Sequence, residues 1–252
     1  MIPKIFIHGV PDTPHVWQPL IEAIGESGAP IQAPAMPGFV EQAPEGFAAT
    51  KEAYTDWLIG RVEPLAAEHG QVDIVGHDWG AILTLRAASL RPDLFRSWAV
   101  SNAMIAADYK GHRAAKLWAT PVLGELFMWS SRNPARLKKA LDGSGLPDDV
   151  FDKEAAYWTQ HKRECILSLY RSAAGLSFRG QWVDDLKNLP EHGLVIWGEN
   201  DPYVDLSFGK AFAKRHSVPI HVVRDTGHWA IAQRPDTIAE RLTSFWSDLD
   251  QA

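Results

Sequence analysis

Short continuous apolar runs punctuate the first hundred residues. They are Ile5-Phe6-Ile7, a stretch beginning at Ile31 and ending at Pro37-Gly38, Val72 to Val75, and Ser97 to Val100. Runs of that length bounded by turn residues predict buried strands. The segments between them are spaced differently. Trp17 to Ile24 has helix-like apolar spacing, residues 52–69 place Tyr54, Trp57, Leu58, Val62 and Leu65 on one side, and Ala81 to Leu90 reads as an apolar-rich helix. Strand-helix alternation predicts a mostly parallel sheet covered by helices on both faces. After about residue 105 the alternation stops, and to roughly 183 there is no clear strand. That stretch is dense in helix formers and aromatics (Trp118, Phe127, Trp129, Tyr157, Trp158, Tyr170). Alternation resumes with Leu194 to Trp197, a helix around 206–215, the strand Ile220 to Val223 and a closing helix from Pro235 to about Leu249. The expected fold is therefore α/β. Residues 1–105 and 184–252 form the core, and residues 106–183 form a helical lid over the carboxyl ends of the strands, where open sheets place their sites. Gly143-Ser144-Gly145-Leu146-Pro147 reads as a loop within that lid.

Composition narrows the class. The 252 residues are 46% hydrophobic and 22% charged, a globular balance for a chain long enough to bury a large core. The formal charge of −6, with no Lys/Arg cluster to offset it, argues against a nucleic-acid or anionic-membrane partner. Cys165 is alone, which excludes an intrachain disulfide and a multi-cysteine metal site. Met1 to Gly9 lacks a basic segment followed by a long apolar one, and no apolar run approaches the roughly 20 residues that span a bilayer. The expectation is a cytoplasmic monomer or homodimer.

Gly76-His77-Asp78-Trp79-Gly80 carries the chemistry. It follows one predicted strand and opens a predicted helix, the setting of a nucleophile elbow, in which a sharp turn holds the middle side chain clear of the backbone. A serine there attacks esters; a carboxylate is suited to a saturated carbon. An aspartate nucleophile then needs a base to activate water and an acid to orient that base. Asp201, in Gly198-Glu199-Asn200-Asp201-Pro202, and His228, in Thr226-Gly227-His228-Trp229, follow in that order, each past a predicted late strand. Glu199 and Asp205 share the Asp201 loop as alternatives. His8 reads as a backbone organiser and His77 as a residue tucked against the core, while His112 and Tyr109 read as structural.

Together with His8-Gly9-Val10-Pro11, these motifs resemble the epoxide hydrolase and haloalkane dehalogenase branch of the α/β-hydrolase superfamily. The resemblance covers most of the chain outside the lid. It implies an α/β-hydrolase fold and SN2 attack by Asp78 to give an alkyl ester. Water activated by His228, with Asp201 supporting the imidazole, would hydrolyse that ester, while the backbone N–H groups of Val10 and Trp79 hold the oxyanion. No metal or organic cofactor is implied. The chain begins at the strand bearing His8-Gly9, so the two strands that usually precede it are expected to be missing and one sheet edge trimmed, as in shorter relatives.

Epoxide and halide chemistry share this triad and differ at the leaving group. An epoxide oxygen needs an O–H donor, and Tyr170-Arg171 resembles the tyrosine-arginine pair of epoxide hydrolases. A halide needs N–H donors, which the indoles of Trp79 and Trp129 are expected to supply. Val10 stands where haloalkane dehalogenases usually carry Asn or Glu, and it has no side-chain donor. No second lid tyrosine appears in Leu126-Phe127-Met128-Trp129, whereas Trp79 and Ile82 stand where fluoroacetate dehalogenases place arginines. The expected substrate is a small apolar electrophile, an epoxide first and a haloalkane as the alternative. A non-catalytic ligand-binding homologue is the contrasting class; a base opposite the nucleophile would serve no purpose there.

Overall fold

The computed structural model of the chain describes residues 2–25 and 28–251. Six parallel strands form one sheet in the order β2-β1-β3-β4-β5-β6. They are β1 (Lys4–Ile7), β2 (Ile31–Gln32), β3 (Val72–His77), β4 (Phe95–Ser101), β5 (Gly193–Gly198) and β6 (Ile220–Val223). The alternation of side chains along a strand sorts the apolar runs onto two faces. Ile5, Ile7, Ile74, Val100, Val195 and Trp197 pack on one side, with α2 (Lys51–His69) and α3 (Trp79–Leu90). Phe6, Val75, Ala99, Leu194 and Ile196 pack on the other, with α1 (Gln18–Ile24) and the last helix. Burial on both faces is why these strands read as continuous apolar runs.

The chain between β4 and β5 holds the helical block: α4 (Arg113–Ala119), α5 (Leu123–Ser130), α6 (Pro134–Ala140), α7 (Asp148–Ala155), α8 (Gln160–Ser172) and the short α9 (Gln181–Asp184). The sheet then closes through α10 (Leu206–His216), the one-turn α11 (Ala230–Gln233) and α12 (Pro235–Asp250). The strand expected from Ile31 to Pro37 is shorter than its apolar pattern suggests. Only Ile31 and Gln32 pair with β1, because Pro34 and Pro37 have no N–H to donate to a ladder. β2 lies at one edge of the sheet, with no further strand beyond it among the described residues.

Close approach dictates the glycines of the elbow. A Cβ on Gly80 would lie 1.9 Å from the Ile7 carbonyl oxygen, and one on Gly76 would lie 2.3 Å from that of Gly80. The start of α3 thus presses against the ends of β1 and β3, and a side chain would push it off the sheet. We expect Gly80→Ala to destabilise the protein by about 3 kcal/mol or more, lowering the melting temperature by roughly 6 °C or more at this chain length. Thermal unfolding followed by circular dichroism checks this; a shift under about 2 °C would show that the packing at the elbow yields.

Candidate active site

Asp78, Asp201 and His228 sit at the carboxyl ends of β3, β5 and β6 and meet in one place. Asp78 caps α3 with φ 50° and ψ −121°, a conformation that a residue with a side chain adopts only where the surroundings impose it. Asp201 is held by four donors. The backbone N–H groups of Tyr203 and Val204 bond to its Oδ1 at 2.8 and 3.1 Å, and Asn102 Nδ2 and His228 Nδ1 each donate to its Oδ2 at 2.8 Å. That partner assigns a proton to His228 Nδ1 and turns Nε2 toward Asp78 Oδ1, 3.7 Å away. The backbone N–H of His228 bonds at 2.8 Å to the Ser144 carbonyl, so the glycine-rich loop of the helical block helps to hold the imidazole.

Burial and charge compete at this triad. Burial alone would lower the pKa of His228, but the charge and hydrogen bond of Asp201, joined by Asp78, raise it to about 10. Burial works to raise Asp201, but the charge of His228 and the donors around the carboxylate outweigh it and hold the group below the usual range. His228 is therefore held in its protonated form between Asp201 and Asp78.

The turn at Val10, the candidate oxyanion turn, lies beside Asp78. Val10 donates its N–H to Asp78 Oδ1 at 3.4 Å, and Trp79 opens α3, where N–H groups have no intrahelical partner. His8 Nδ1 bonds to the Gly9 carbonyl at 2.9 Å, and Nε2 accepts the Met36 N–H at 3.0 Å. Burial lowers its pKa to about 3. A neutral ring with both nitrogens engaged braces the turn.

A narrow cleft opens onto Asp78 and His228; Tyr170, His112, Trp118 and Tyr203 are among the residues lining it. Tyr170 is buried, and burial, reinforced by the Asp78 charge, pushes its pKa well above that of a free phenol. It therefore stays protonated. His112 Nδ1 accepts the Ala115 N–H at 3.2 Å, and burial lowers its pKa to about 4, so the neutral ring carries its proton on Nε2. The buried indole N–H of Trp118 has no hydrogen-bond partner.

Of the two indoles expected as leaving-group donors, one lies against Tyr170 and the other is at the surface. The indole of Trp79 is fully buried, edge-on to Tyr170 with ring centroids 5.4 Å apart, and like that of Trp118 its N–H has no hydrogen-bond partner. Trp129 is 62% exposed, with the Arg132 guanidinium 4.4 Å above its ring. The helix explains this: Phe127 lines the cleft, and two residues further along α5 a side chain has rotated by about 200°. Trp129 is therefore a surface residue.

The sequence from residue 5 to 241 matches the model of the alpha/beta hydrolase family. The chain belongs to that family. An epoxide hydrolase of Caballeronia sordidicola is 36% identical over 95 residues, which is 37% of this chain and 28% of that protein. An (E)-2-((N-methylformamido)methylene)succinate hydrolase of Acinetobacter baylyi is 31% identical over 96% of this chain and 89% of its own length. Among solved structures, a loop variant of the haloalkane dehalogenase of Bradyrhizobium elkanii superposes with a TM-score of 0.75 at 19% identity, covering 98% of this chain and 91% of that one. At that identity the likeness shows the alpha/beta hydrolase fold. No helix among the described residues is long and apolar enough to cross a membrane, and no group of three or more His, Cys, Asp or Glu among them could hold a metal ion.

Several site residues carry no signal in the sequence. Asn102, which holds Asp201, ends β4 with φ 57°; its position at a strand exit is its only clue. Ser144 lies in the glycine-rich loop of the helical block, and His112, expected to be structural, lines the cleft beside Trp118.

The raised pKa of His228 makes a stability prediction. A group that binds its proton more tightly when folded contributes fully below its unfolded value, near 6.5, and the contribution is lost as pH rises through about 10. Asp201→Asn removes the largest favourable interaction of the imidazolium. The gap in unfolding free energy between wild type and this variant should narrow from pH 7 to pH 10 in urea titrations. A gap that stays constant would show that the His228 charge adds nothing to the fold.

Proposed function

We propose that the protein is a hydrolase that opens epoxides to vicinal diols through an ester on Asp78. The observation that carries this reading is the pairing of an elbow carboxylate with a protonated tyrosine, Tyr170, in one cleft. A carboxylate oxygen of Asp78 attacks a ring carbon; the ring C–O bond breaks and its electrons pass to the oxygen, which Tyr170 stabilises with its O–H. Forming the ester removes the Asp78 charge, one of the interactions that keep His228 protonated. The proton given up by the imidazolium balances the one taken by the ring oxygen. Neutral His228 then draws a proton from water through Nε2, and the hydroxide attacks the ester carbonyl. The N–H groups of Val10 and Trp79 stabilise the resulting oxyanion. Collapse releases the diol and restores the carboxylate and the imidazolium.

The helical block acts as the lid in this scheme, supplying Tyr170, Trp118 and the Ser144 carbonyl. The similarity to an epoxide hydrolase over part of the chain supports the substrate class. Haloalkane dehalogenation is a second reading, favoured by the unpartnered N–H of Trp118 in the cleft. The proton accounting differs between the two: epoxide opening returns every proton to the site, whereas dehalogenation releases one proton to solvent with each halide.

Incubation with a panel of epoxides and haloalkanes, following diol and halide release, tests the choice. His228→Gln should accumulate the alkyl adduct on Asp78, detected by mass spectrometry of the peptide. Turnover that survives Asp78→Ala would remove the ester from the scheme. We further expect Tyr170→Phe to lower the ring-opening rate by about 100-fold or more with epoxides. Trp118→Phe should spare that rate if the oxygen is the leaving group. A larger loss in Trp118→Phe, with halide as the product, would favour dehalogenation.

A further inference from the structure

Behind the catalytic side chains lies a buried charged cluster that the hydrolytic scheme does not use. Asp12 is fully buried, two residues after Val10. Its Oδ1 accepts the indole N–H of Trp229 at 2.9 Å, and its Oδ2 lies 3.8 Å from His77 Nε2. Trp229 immediately follows the candidate base, and His77 immediately precedes the candidate nucleophile. One carboxyl group thus reaches the oxyanion turn, the elbow and the base loop.

The helical block joins this carboxyl from the other side. Thr13, next to Asp12, donates its hydroxyl to Glu154 Oε1 of α7 at 3.0 Å. Lys162 of α8 is fully buried, its ammonium 5.4 Å from the centre of the Phe39 ring. Asp12 Oδ2, Glu154 Oε2 and Lys162 Nζ are all buried without a hydrogen-bond partner. Three such atoms of charged side chains in one region are unusual in a folded protein.

We infer that Asp12 is a positioning residue that locks the oxyanion turn, the nucleophile and the base in register, and that Glu154 and Lys162 tie the helical block into that lock. The inference rests on the proposed roles of Val10, Asp78 and His228. Charge counting gives the state of the cluster. Two carboxyls share one closed region with one ammonium, so one carboxylate is balanced and the other carboxyl keeps its proton. Asp12 keeps it. Burial and the charge of Glu154 push its pKa up to about 8, against the Trp229 N–H, with Asp78 and His228 facing it from the cleft side. Burial raises Glu154 too, but the Lys162 charge and Thr13 oppose that, with His15 nearby. Burial lowers Lys162 to about 8, Glu154 and Asp12 counteract it, and His8 is the neighbouring imidazole. A neutral Asp12 can lie beside neutral His77 without adding a third negative charge behind His228.

Nuclear magnetic resonance of the free protein tests this without any substrate, so its failure is separate from failure of the ester chemistry. The imidazole signals of His228, assigned with His228→Gln, and the indole N–H signal of Trp229 are followed from pH 5 to pH 10. In wild type both should move through a shared inflection near pH 8 as Asp12 ionises. Asp12→Asn, which keeps the shape and the neutral state, should remove that inflection from the Trp229 indole N–H, which bonds to this carboxyl, while Lys162→Met, which removes the other group lowered to about 8, should leave it in place. Glu154→Gln, which takes away the neighbouring carboxylate, should move it down by about one pH unit. Protection factors of amides in α7 and α8, which correct for the base-catalysed rise of intrinsic exchange with pH, should fall about tenfold above the inflection in wild type and hold steady in Asp12→Asn. An inflection that persists unchanged in Asp12→Asn overturns the proposal. So does one that Glu154→Gln does not move, which would show that the helical block is not part of the lock.

Discussion

The protonated imidazole of His228, buried beside the cleft between Asp201 and Asp78, is the interaction on which the site depends. Burying a lone charge is costly, and His228 is tolerated only because Asp201 and Asp78 both face it. The arrangement needs three strand ends brought together and two loops pinned. β3, β5 and β6 supply the side chains, Asn102 at the end of β4 fixes Asp201, and the Ser144 carbonyl fixes the backbone of His228. The parallel sheet is what delivers these groups to one edge, and its apolar burial on both faces holds that edge rigid.

The same charge balance gives the chemistry its direction. In the proposed ester scheme, loss of the Asp78 charge would let the imidazolium become a base at the step that needs one. The order of events follows from electrostatics already present in the resting protein. The strained backbone of Asp78 and the glycines around it let the helix N-terminus and the Val10 N–H approach the same carboxyl. Strain at the nucleophile is held by packing elsewhere, which is why the elbow tolerates so little change.

Much of this was legible in the sequence because it follows local rules. Apolar runs marked the strands, and glycine spacing marked the elbow. The positions of Asp201 and His228 after late strands suggested that they would meet. What could not be read depends on which way a helix faces. Trp129 was expected in the cleft, yet the rotation of α5 gives that place to Phe127. Trp79 packs its buried ring edge-on against Tyr170, a contact that the apolar pattern around the elbow does not reveal. The second strand was read as longer than it is because its apolar content outweighed two prolines in the reading. Asp12, Glu154 and Lys162 are ordinary charged residues in the sequence, and only the packing of the helical block against the turn brings them together.

The central claim is that the bond is broken by Asp78 and not by water directly. A single turnover in water enriched in oxygen-18, with enzyme in excess over an epoxide, tests it most directly. An ester route places the solvent oxygen in the carboxyl group of Asp78 and leaves the first diol unlabelled, since that oxygen came from the protein. Label in the first-turnover diol, with none in the peptide containing Asp78, would contradict the account.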